Sequence, residues 1–295
     1  MKQAGIRRVN VVETVYLNGA LVPREKASIS PFDRGFLYGY GLFETVRSYE
    51  GRVFRLDWHM ARLMRSAEEV GLASQLDPAE LERAIYQTLE ANRLLNARIR
   101  LTVAAGEGER GLSPPTSGRL TILVVAEELT LPSHIYQQGI RAAIVSTRRN
   151  SQSPLPRIKS LNYLEGLIAH LEAVALGADE AIMLNDRGYV SECSTSNIFL
   201  VLTGKLHTPS LNSGILPGVT REAVLELAHE TDIEAMEGEI PPSDLLRADE
   251  VFITTSVREL VPVVMIDGKL VGLGKPGEVT KRLMTAYKEL VRREL

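Results

Sequence analysis

Residues Arg157 to Val201 read RIKSLNYLEGLIAHLEAVALGADEAIMLNDRGYVSECSTSNIFLV, and this stretch decides how the rest of the chain is interpreted. After Lys159 the apolar residues recur at helical spacing, which predicts an amphipathic helix. Ser160 is the expected N-cap of that helix, and Gly177 follows its last turn. Its apolar positions are Leu161, Leu164, Leu167, Ile168, Leu171, Val174 and Ala175.

Two short strands and a carboxylate come after the helix. We predict strands over Glu180–Leu184 and Tyr189–Val190, separated by the turn sequence N-D-R-G. Glu192 follows, then a small polar run and a third strand, Ile198–Leu202. Taken alone, a lysine at a helix start and a glutamate at a strand end indicate solvent-exposed side chains, as most Lys and Glu are.

Two motifs in this stretch resemble those of the class IV aminotransferases, the fold type IV enzymes that use pyridoxal 5'-phosphate (PLP). The family signature E-x-x-x-S-N-[IL]-F is matched by Glu192 and Ser196-Asn197-Ile198-Phe199, and the lysine motif K-x-x-[NY]-[YN] by Lys159 to Tyr163. The resemblance implies that Lys159 is catalytic, forming a Schiff base with PLP and moving the substrate Cα proton. It also implies that Glu192 keeps the pyridine nitrogen protonated and that Tyr163 binds the ring oxygen.

A second pair of motifs lies near the N-terminus. The family pattern D-R-G-F-x-Y-G-x-G-x-F-E-T is matched by Asp33 to Thr45, and the pattern L-x-x-H-x-x-R-L by Leu56 to Leu63. The resemblance implies that Arg62 binds the cofactor phosphate. His59 is one helical turn away from Arg62, and we expect a structural role for it, since a lone histidine is usually not catalytic.

Two further segments are candidates for the phosphate site. In the segment L-P-G-V-T-R, Gly218 precedes a helix that is expected to start near Val219 and Thr220. Glycine lets the backbone approach a ligand closely, and a helix start offers free N–H groups to a phosphate. Thr255 and Ser256 stand at the end of a predicted strand and would complete the phosphate site.

The substrate pocket is predicted from strand periodicity and from the resemblance. In a strand over Leu42–Tyr49, alternate residues share a face, which separates Phe43, Thr45 and Arg47 from Glu44. The family places an arginine of the next strand, or of the loop after it, near the substrate carboxylate; Arg100 is the closer match and Arg110 the loop candidate. The predicted pocket residues are Tyr38, Phe43, Thr45, Arg47, Arg100 and Val257.

Composition indicates an ordinary globular protein. The chain has 295 residues, 44% of them hydrophobic, and a net charge of −3, so nothing suggests a nucleic-acid or membrane partner. No apolar run is long enough to span a membrane. Cys193 is the only cysteine, which excludes an internal disulfide and fits the cytoplasm. We predict no metal site.

The resemblance covers nearly the whole chain and implies the fold: an α+β protein of two domains with PLP between them. The expected limits are residues 1–125 for the smaller N-terminal domain, 126–132 for the connector and 133–295 for the PLP-binding domain. A homodimer is also implied, because active sites in the family include residues of the partner subunit.

The reaction is less closely constrained by the sequence. Branched-chain aminotransferases usually read F-E-G, G-E-N and G-T-A-A-E, whereas this chain has F-E-T at Phe43–Thr45, T-S-N at Thr195–Asn197 and T-S-V-R-E at Thr255–Glu259. F-E-T and S-N-I-F are more typical of aminodeoxychorismate lyases, D-amino-acid aminotransferases and R-selective amine aminotransferases.

Our leading interpretation is an aminotransferase that acts on an amino acid or amine and a 2-keto acid. The alternative is 4-amino-4-deoxychorismate lyase, which makes 4-aminobenzoate and pyruvate; Thr45 could assist proton transfer in that reaction. A catalytically silent PLP-binding protein is a third hypothesis, and the presence of both Lys159 and Glu192 argues against it.

Overall fold

The computed structural model describes residues 13–108 and 119–295, which divide into two compact units, one within residues 1–130 and the other within residues 131–294. The division falls inside the expected connector, 126–132. The last strand of the first unit, Thr121–Glu128, runs beyond residue 125, because its pairing with the neighbouring strand continues to Glu128. The domain limits drawn from the sequence stay a prediction.

The described part of the first unit contains six strands and three α-helices. The strands are β1 Thr14–Leu17, β2 Ala20–Pro23, β3 Gly41–Tyr49, β4 Arg52–Val53, β5 Ala97–Ala104 and β6 Thr121–Glu128. The helices are α1 Arg34–Tyr38, α2 Leu56–Glu69 and α3 Pro78–Ala91. The strands form one antiparallel sheet in the order β2-β1-β6-β5-β3-β4. Asp77 caps α3 by accepting a hydrogen bond from the Ala79 amide at 3.0 Å.

Helix α2 covers the Glu44 side of strand β3. The apolar spacing of this helix predicts a core stripe of Trp58, Leu63, Ala67 and Val70. Leu63 and Ala67 are buried, but Trp58 is 39% exposed and lies under the guanidinium of Arg55, which corrects that part of the prediction. Helix α2 begins at Leu56, which is buried. Trp58 is two positions further on, so its side chain projects from the side of the helix opposite Leu56.

The second unit is built on a mixed sheet. Its strands are β7 Ile140–Arg149, β8 Glu180–Asn185, β9 Val190–Cys193, β10 Asn197–Leu202, β11 Lys205–Pro209, β12 Ala235–Gly238, β13 Glu250–Thr255, β14 Glu259–Ile266 and β15 Lys269–Leu270. Its α-helices are α4 His134–Gln137, α5 Leu164–Ala175, α6 Val219–Glu230, α7 Pro242–Leu246 and α8 Glu278–Glu294. The strand order is β12-β11-β10-β13-β14-β7-β8-β9, and β15 pairs with β14. Strand β7 runs parallel to both of its neighbours, β14 and β8. Both units thus combine helices and sheets, and the α+β class is confirmed.

Helix α5 differs from its prediction in where it starts. It begins at Leu164 with Tyr163 as N-cap, rather than after Ser160, because Ser160 and Tyr163 lie in two successive tight turns. Its buried face consists of small residues, so the large apolar residues point to solvent. The buried positions are Gly166, Ala169 and Ala173, and the exposed positions are Leu164, Leu167, Ile168, Leu171 and Val174.

Close packing explains this orientation of α5. A Cβ atom on Gly166 would lie 2.9 Å from the carbonyl oxygen of Ser194, so the helix can approach the sheet only through a face of small residues. Ala169 and Ala173 continue that face against β7 and β8. None of the helices in the described ranges combines the length and the apolarity needed to cross a membrane.

Candidate active site

Lys159 and Tyr163 lie in the turns that lead into α5. The amide of Ser160 donates to the carbonyl oxygen of Ile158 at 2.9 Å, which fixes the backbone around the lysine. The Tyr163 hydroxyl reaches the carbonyl oxygen of Ser194 at 3.5 Å. Lys159 is close enough to Glu192 for its charge to lower the pKa of that carboxyl group. The second unit therefore brings together the lysine and the carboxylate that the motifs single out.

Glu192 lies in β9 and is 6% exposed. Its Oε2 accepts from the amide of Leu216 at 3.0 Å and from Nδ2 of Asn197 at 3.4 Å, and its Oε1 lies 3.1 Å from Nη2 of Arg149. Burial raises the pKa of Glu192 above its ordinary value, and Arg149, the Leu216 amide and Lys159 oppose this only in part. Since a carboxylate offers about four acceptor positions, these three donors leave room for another.

The start of α6 is tied to the same carboxylate through Asn197. The side-chain amide of Asn197 donates to the carbonyl oxygen of Leu216 at 2.9 Å as well as to Glu192. A Cβ on Gly218 would lie only 2.0 Å from Oδ1 of Asn197, so glycine is required there. Helix α6 begins at Val219, and no side chain caps it, which leaves its first turn suited to an anion.

Thr255 and Ser256 stand at the turn between β13 and β14. The Thr255 hydroxyl accepts from the amide of Arg258 at 2.8 Å, which holds the turn closed. The neighbouring Thr254 is paired with Asn197 across β13 and β10, and its buried hydroxyl has no hydrogen-bond partner among the residues described. A buried polar atom of this kind is normally satisfied by a ligand or by water. This supports a polar ligand beside the predicted phosphate residues.

Two charged residues that the sequence did not single out complete this site: Arg149 and Glu180. Glu180 is buried, accepts a hydrogen bond from the hydroxyl of Ser194 and lies 3.0 Å from Nη2 of Arg258. It therefore joins the segment after Glu192 to the turn after β13. The sequence carried a signal for Glu180, which is a charged residue in the largely apolar strand E-A-I-M-L-N. It carried no signal for Arg149, which lies in a polar run.

In the first unit, Glu44 and Arg62 form a buried ion pair. Nε of Arg62 donates to Oε1 of Glu44 at 2.8 Å and Nη2 to Oε2 at 2.6 Å, while Nδ1 of His59 lies 2.8 Å from Oε2. Burial opposes ionisation of Glu44, but Arg62 and His59 outweigh it, and its pKa lies well below the ordinary value. His59 thus contacts Glu44, as a structural role requires. The phosphate role of Arg62 stays a prediction.

The predicted pocket residues of the first unit lie mostly on one sheet face. Thr45 is directly opposite Arg100 in the β3–β5 pair, and the Arg100 guanidinium stacks 3.8 Å from the centre of the Phe43 ring. Arg47 shares that face of β3, and its guanidinium lies 4.3 Å from the centre of the Tyr49 ring. Two pocket candidates lie elsewhere: Tyr38 at the end of α1, and Val257 in the second unit. Arg110 falls outside the described residues.

Comparisons with known proteins agree with the family that the sequence motifs indicate. The family model described as amino-transferase class IV matches residues 41–266. A putative branched-chain-amino-acid aminotransferase of Methanocaldococcus jannaschii is 42% identical over 94% of this chain and 96% of its own length. An aminodeoxychorismate lyase of Bacillus subtilis is 36% identical over 94% of each chain.

A solved structure is similar over almost the whole chain. It is a branched-chain amino acid aminotransferase of T.th., complexed with N-(5'-phosphopyridoxyl)-L-glutamate. The two structures agree with a TM-score of 0.89 at 32% sequence identity, covering 97% of this chain and 96% of the other. The expected fold, that of the fold type IV enzymes, is thereby confirmed.

Proposed function

Because the chain belongs to the class IV aminotransferase family, we propose that it is a PLP-dependent aminotransferase that transfers an amino group between an amino acid or amine and a 2-oxo acid. The observation that carries this proposal is the buried carboxylate of Glu192, which has an acceptor position left and Lys159 nearby. A buried anion of this kind suits a protonated ring nitrogen.

Each of the predicted residues has a distinct task in this proposal. Lys159 would hold the cofactor covalently, and its amine would take and return the substrate Cα proton. Tyr163 would bind the ring oxygen. The phosphate would be held by Val219, Thr220, Thr255, Ser256 and Arg62; the uncapped start of α6 and the unpartnered Thr254 hydroxyl support this site. When bound, PLP supplies an electron sink for the carbanion.

The proposed substrate class is based on the similar proteins and on the sheet face of the first unit that carries the predicted pocket residues. The branched-chain aminotransferases among the relatives support an aliphatic amino acid as donor. Arg100 and Arg47 share one sheet face and would attract the carboxylates of the amino acid and the 2-oxo acid. The second candidate is aminodeoxychorismate lyase, favoured by Thr45 on that same face and by the lyase relative.

A homodimer is part of the proposal. The exposed large apolar residues of α5 form a stripe, defined by Leu164, Leu167, Ile168, Leu171 and Val174, of the kind that usually marks an interaction surface. Phe32 and Phe36 are also exposed, in the first unit. The cytoplasmic location stays a prediction, supported by the single cysteine.

The first experiment tests the covalent attachment. Purified protein supplied with PLP is reduced with borohydride and digested, and its peptides are mapped. We expect the reduced cofactor on Lys159, and Lys159→Ala should carry none. A label on any other lysine would refute the assignment of the catalytic residue.

The second experiment separates transferase from lyase. A transferase passes the amino group to a second substrate, so an amino donor alone should remove the visible absorbance of the bound cofactor, and 2-oxoglutarate should restore it. D- and L-amino acids and aromatic amines are offered in turn. If no donor has this effect while aminodeoxychorismate is converted to pyruvate with turnover, the lyase is the correct function.

A further inference from the structure

Arg149 bridges two acidic side chains of the second unit. It is the last residue of β7 and its side chain is 15% exposed. One end of the guanidinium, Nη1, contacts Oε2 of Glu165 in α5, and the other, Nη2, lies 3.1 Å from Oε1 of Glu192. Nε of Arg149 is buried with no hydrogen-bond partner among the described residues, so the two carboxylates hold the guanidinium by its ends.

The other donors to Glu192 are neutral. Its Oε2 is held by two amides, from Leu216 and Asn197, whereas Oε1 is paired with Arg149. Neutral amides fix the orientation of a carboxylate, but a full positive charge stabilises the ionised form far more strongly in a buried place. Lys159 also acts on Glu192 as a cation, and PLP attachment would occupy its amine.

The charge balance around Glu192 therefore depends on Arg149. Burial favours the neutral acid, Glu165 acts in the same direction, and Arg149 is the strongest influence in the opposite direction. A neutral Glu192 could not keep a ring nitrogen protonated, because only an adjacent anion favours the cation.

We propose that Arg149 is a positioning residue that keeps Glu192 ionised and so determines the protonation of the cofactor's ring nitrogen, while Glu165 anchors the far end of its guanidinium. This inference rests on the proposed function, since it requires PLP beside Glu192. Arg149 acts through Glu192, and its effect must depend on the presence of a ring nitrogen.

The test compares two probes on the full chain: PLP and its 1-deaza analogue, in which C–H replaces the ring nitrogen. We expect the wild type to prefer PLP by about ten- to a hundredfold, the value of a charge-assisted hydrogen bond. Arg149→Met should reduce that preference about tenfold by weakening PLP binding only, and Arg149→Lys, which keeps the charge, should restore most of it. The ring ¹⁵N chemical shift of bound PLP should move toward the neutral form in Arg149→Met alone.

Two further variants distinguish charge from packing. Glu165→Gln breaks the other end of the bridge and should retain the preference for PLP, because the charge beside Glu192 remains. Arg148→Met removes a neighbouring arginine that donates to the backbone carbonyls of residues 145–147, and it should behave as wild type. Thermal unfolding shows whether each variant is folded.

The role of Arg149 would be overturned if Arg149→Met lost affinity equally for PLP and for the analogue. It would also be overturned if folded Arg149→Met kept the wild-type preference for PLP. That role would also be refuted if the wild type bound PLP on Lys159 without any preference over the analogue. Failure of the wild type to bind PLP at all would instead refute the proposed function, so the two failures are distinguishable.

Discussion

Glu44 and Glu192 are both buried carboxylates, yet their pKa values are shifted in opposite directions. Glu44 is paired with both Arg62 and His59, and its pKa lies well below the ordinary value. Glu192 shares its arginine with Glu165, and its pKa is raised. The first arrangement is satisfied within the protein, whereas the second leaves an acceptor position for a ligand.

The ion pair of Arg62 with Glu44 and its predicted contact with the cofactor phosphate can be separated by mutation. Arg62→Met should destabilise the first unit by about 3–5 kcal/mol, because it removes the guanidinium that pairs with the buried Glu44 and leaves His59 as the remaining side chain in contact with it. The double variant Glu44→Gln with Arg62→Met removes both charges, and its free energy of unfolding should fall much less. Urea unfolding midpoints of both variants measure the difference.

The double variant also tests the phosphate role of Arg62. In the absence of the buried charge, any remaining loss of PLP affinity reports the missing phosphate contact. Loss of that contact should raise the PLP dissociation constant about ten- to a hundredfold. Affinity for pyridoxal, which has no phosphate, should be unchanged. Equal unfolding midpoints for the single and double variants would contradict the ion-pair argument, and wild-type PLP affinity in the double variant would contradict the phosphate role.

The low pKa of Glu44 also predicts a pH dependence of stability. Because the pKa is lower in the folded than in the unfolded chain, the contribution of Glu44 is complete above the ordinary glutamate pKa of about 4.3 and is lost as pH falls below it. Glu44→Gln should therefore flatten the fall of the unfolding midpoint between about pH 5 and pH 3. A slope as steep as that of the wild type would show that other carboxylates are responsible.

At the scale of elements, the entry to α6 depends on a single glycine. Gly218→Ala would place a Cβ 2.0 Å from Oδ1 of Asn197 and must displace that amide from Leu216 and Glu192. We expect destabilisation by about 1–3 kcal/mol and weaker PLP binding. Gly238→Ala is the matched control, since a Cβ there meets nothing within 4 Å. Normal PLP binding by Gly218→Ala would show that Asn197 does not organise the site.

Local signals predicted some elements well and failed for others. The start of α6 at Val219 depends on neighbouring residues, and it is found as expected. The apolar stripe of α5 is visible in the sequence, but periodicity shows which face of a helix is apolar and not which face is covered. The face that packs on the sheet is determined by Gly166, through its close approach to Ser194. The bridge at Arg149 joins residues far apart in the chain, and no local pattern indicates it.

At the scale of the whole molecule, the α5 stripe predicts the assembly. Leu171, 66% exposed, lies within the stripe, and Leu171→Glu would bury a charge in any interface formed there. By sedimentation we expect this variant to be monomeric and the wild type to be dimeric. Leu273→Glu, at a leucine that is 81% exposed outside α5, should remain dimeric. A dimeric Leu171→Glu protein would place the interface elsewhere.

The helix that carries the stripe is also the one that Lys159 and Tyr163 lead into, and its Glu165 holds Arg149. If a second copy covers α5, assembly and cofactor binding act on the same helix. If assembly then strengthens cofactor binding, cofactor binding must strengthen assembly by the same factor. Dilution then becomes a means of releasing cofactor. At concentrations below the dimer dissociation constant we expect cofactor occupancy to fall even with the cofactor concentration held constant.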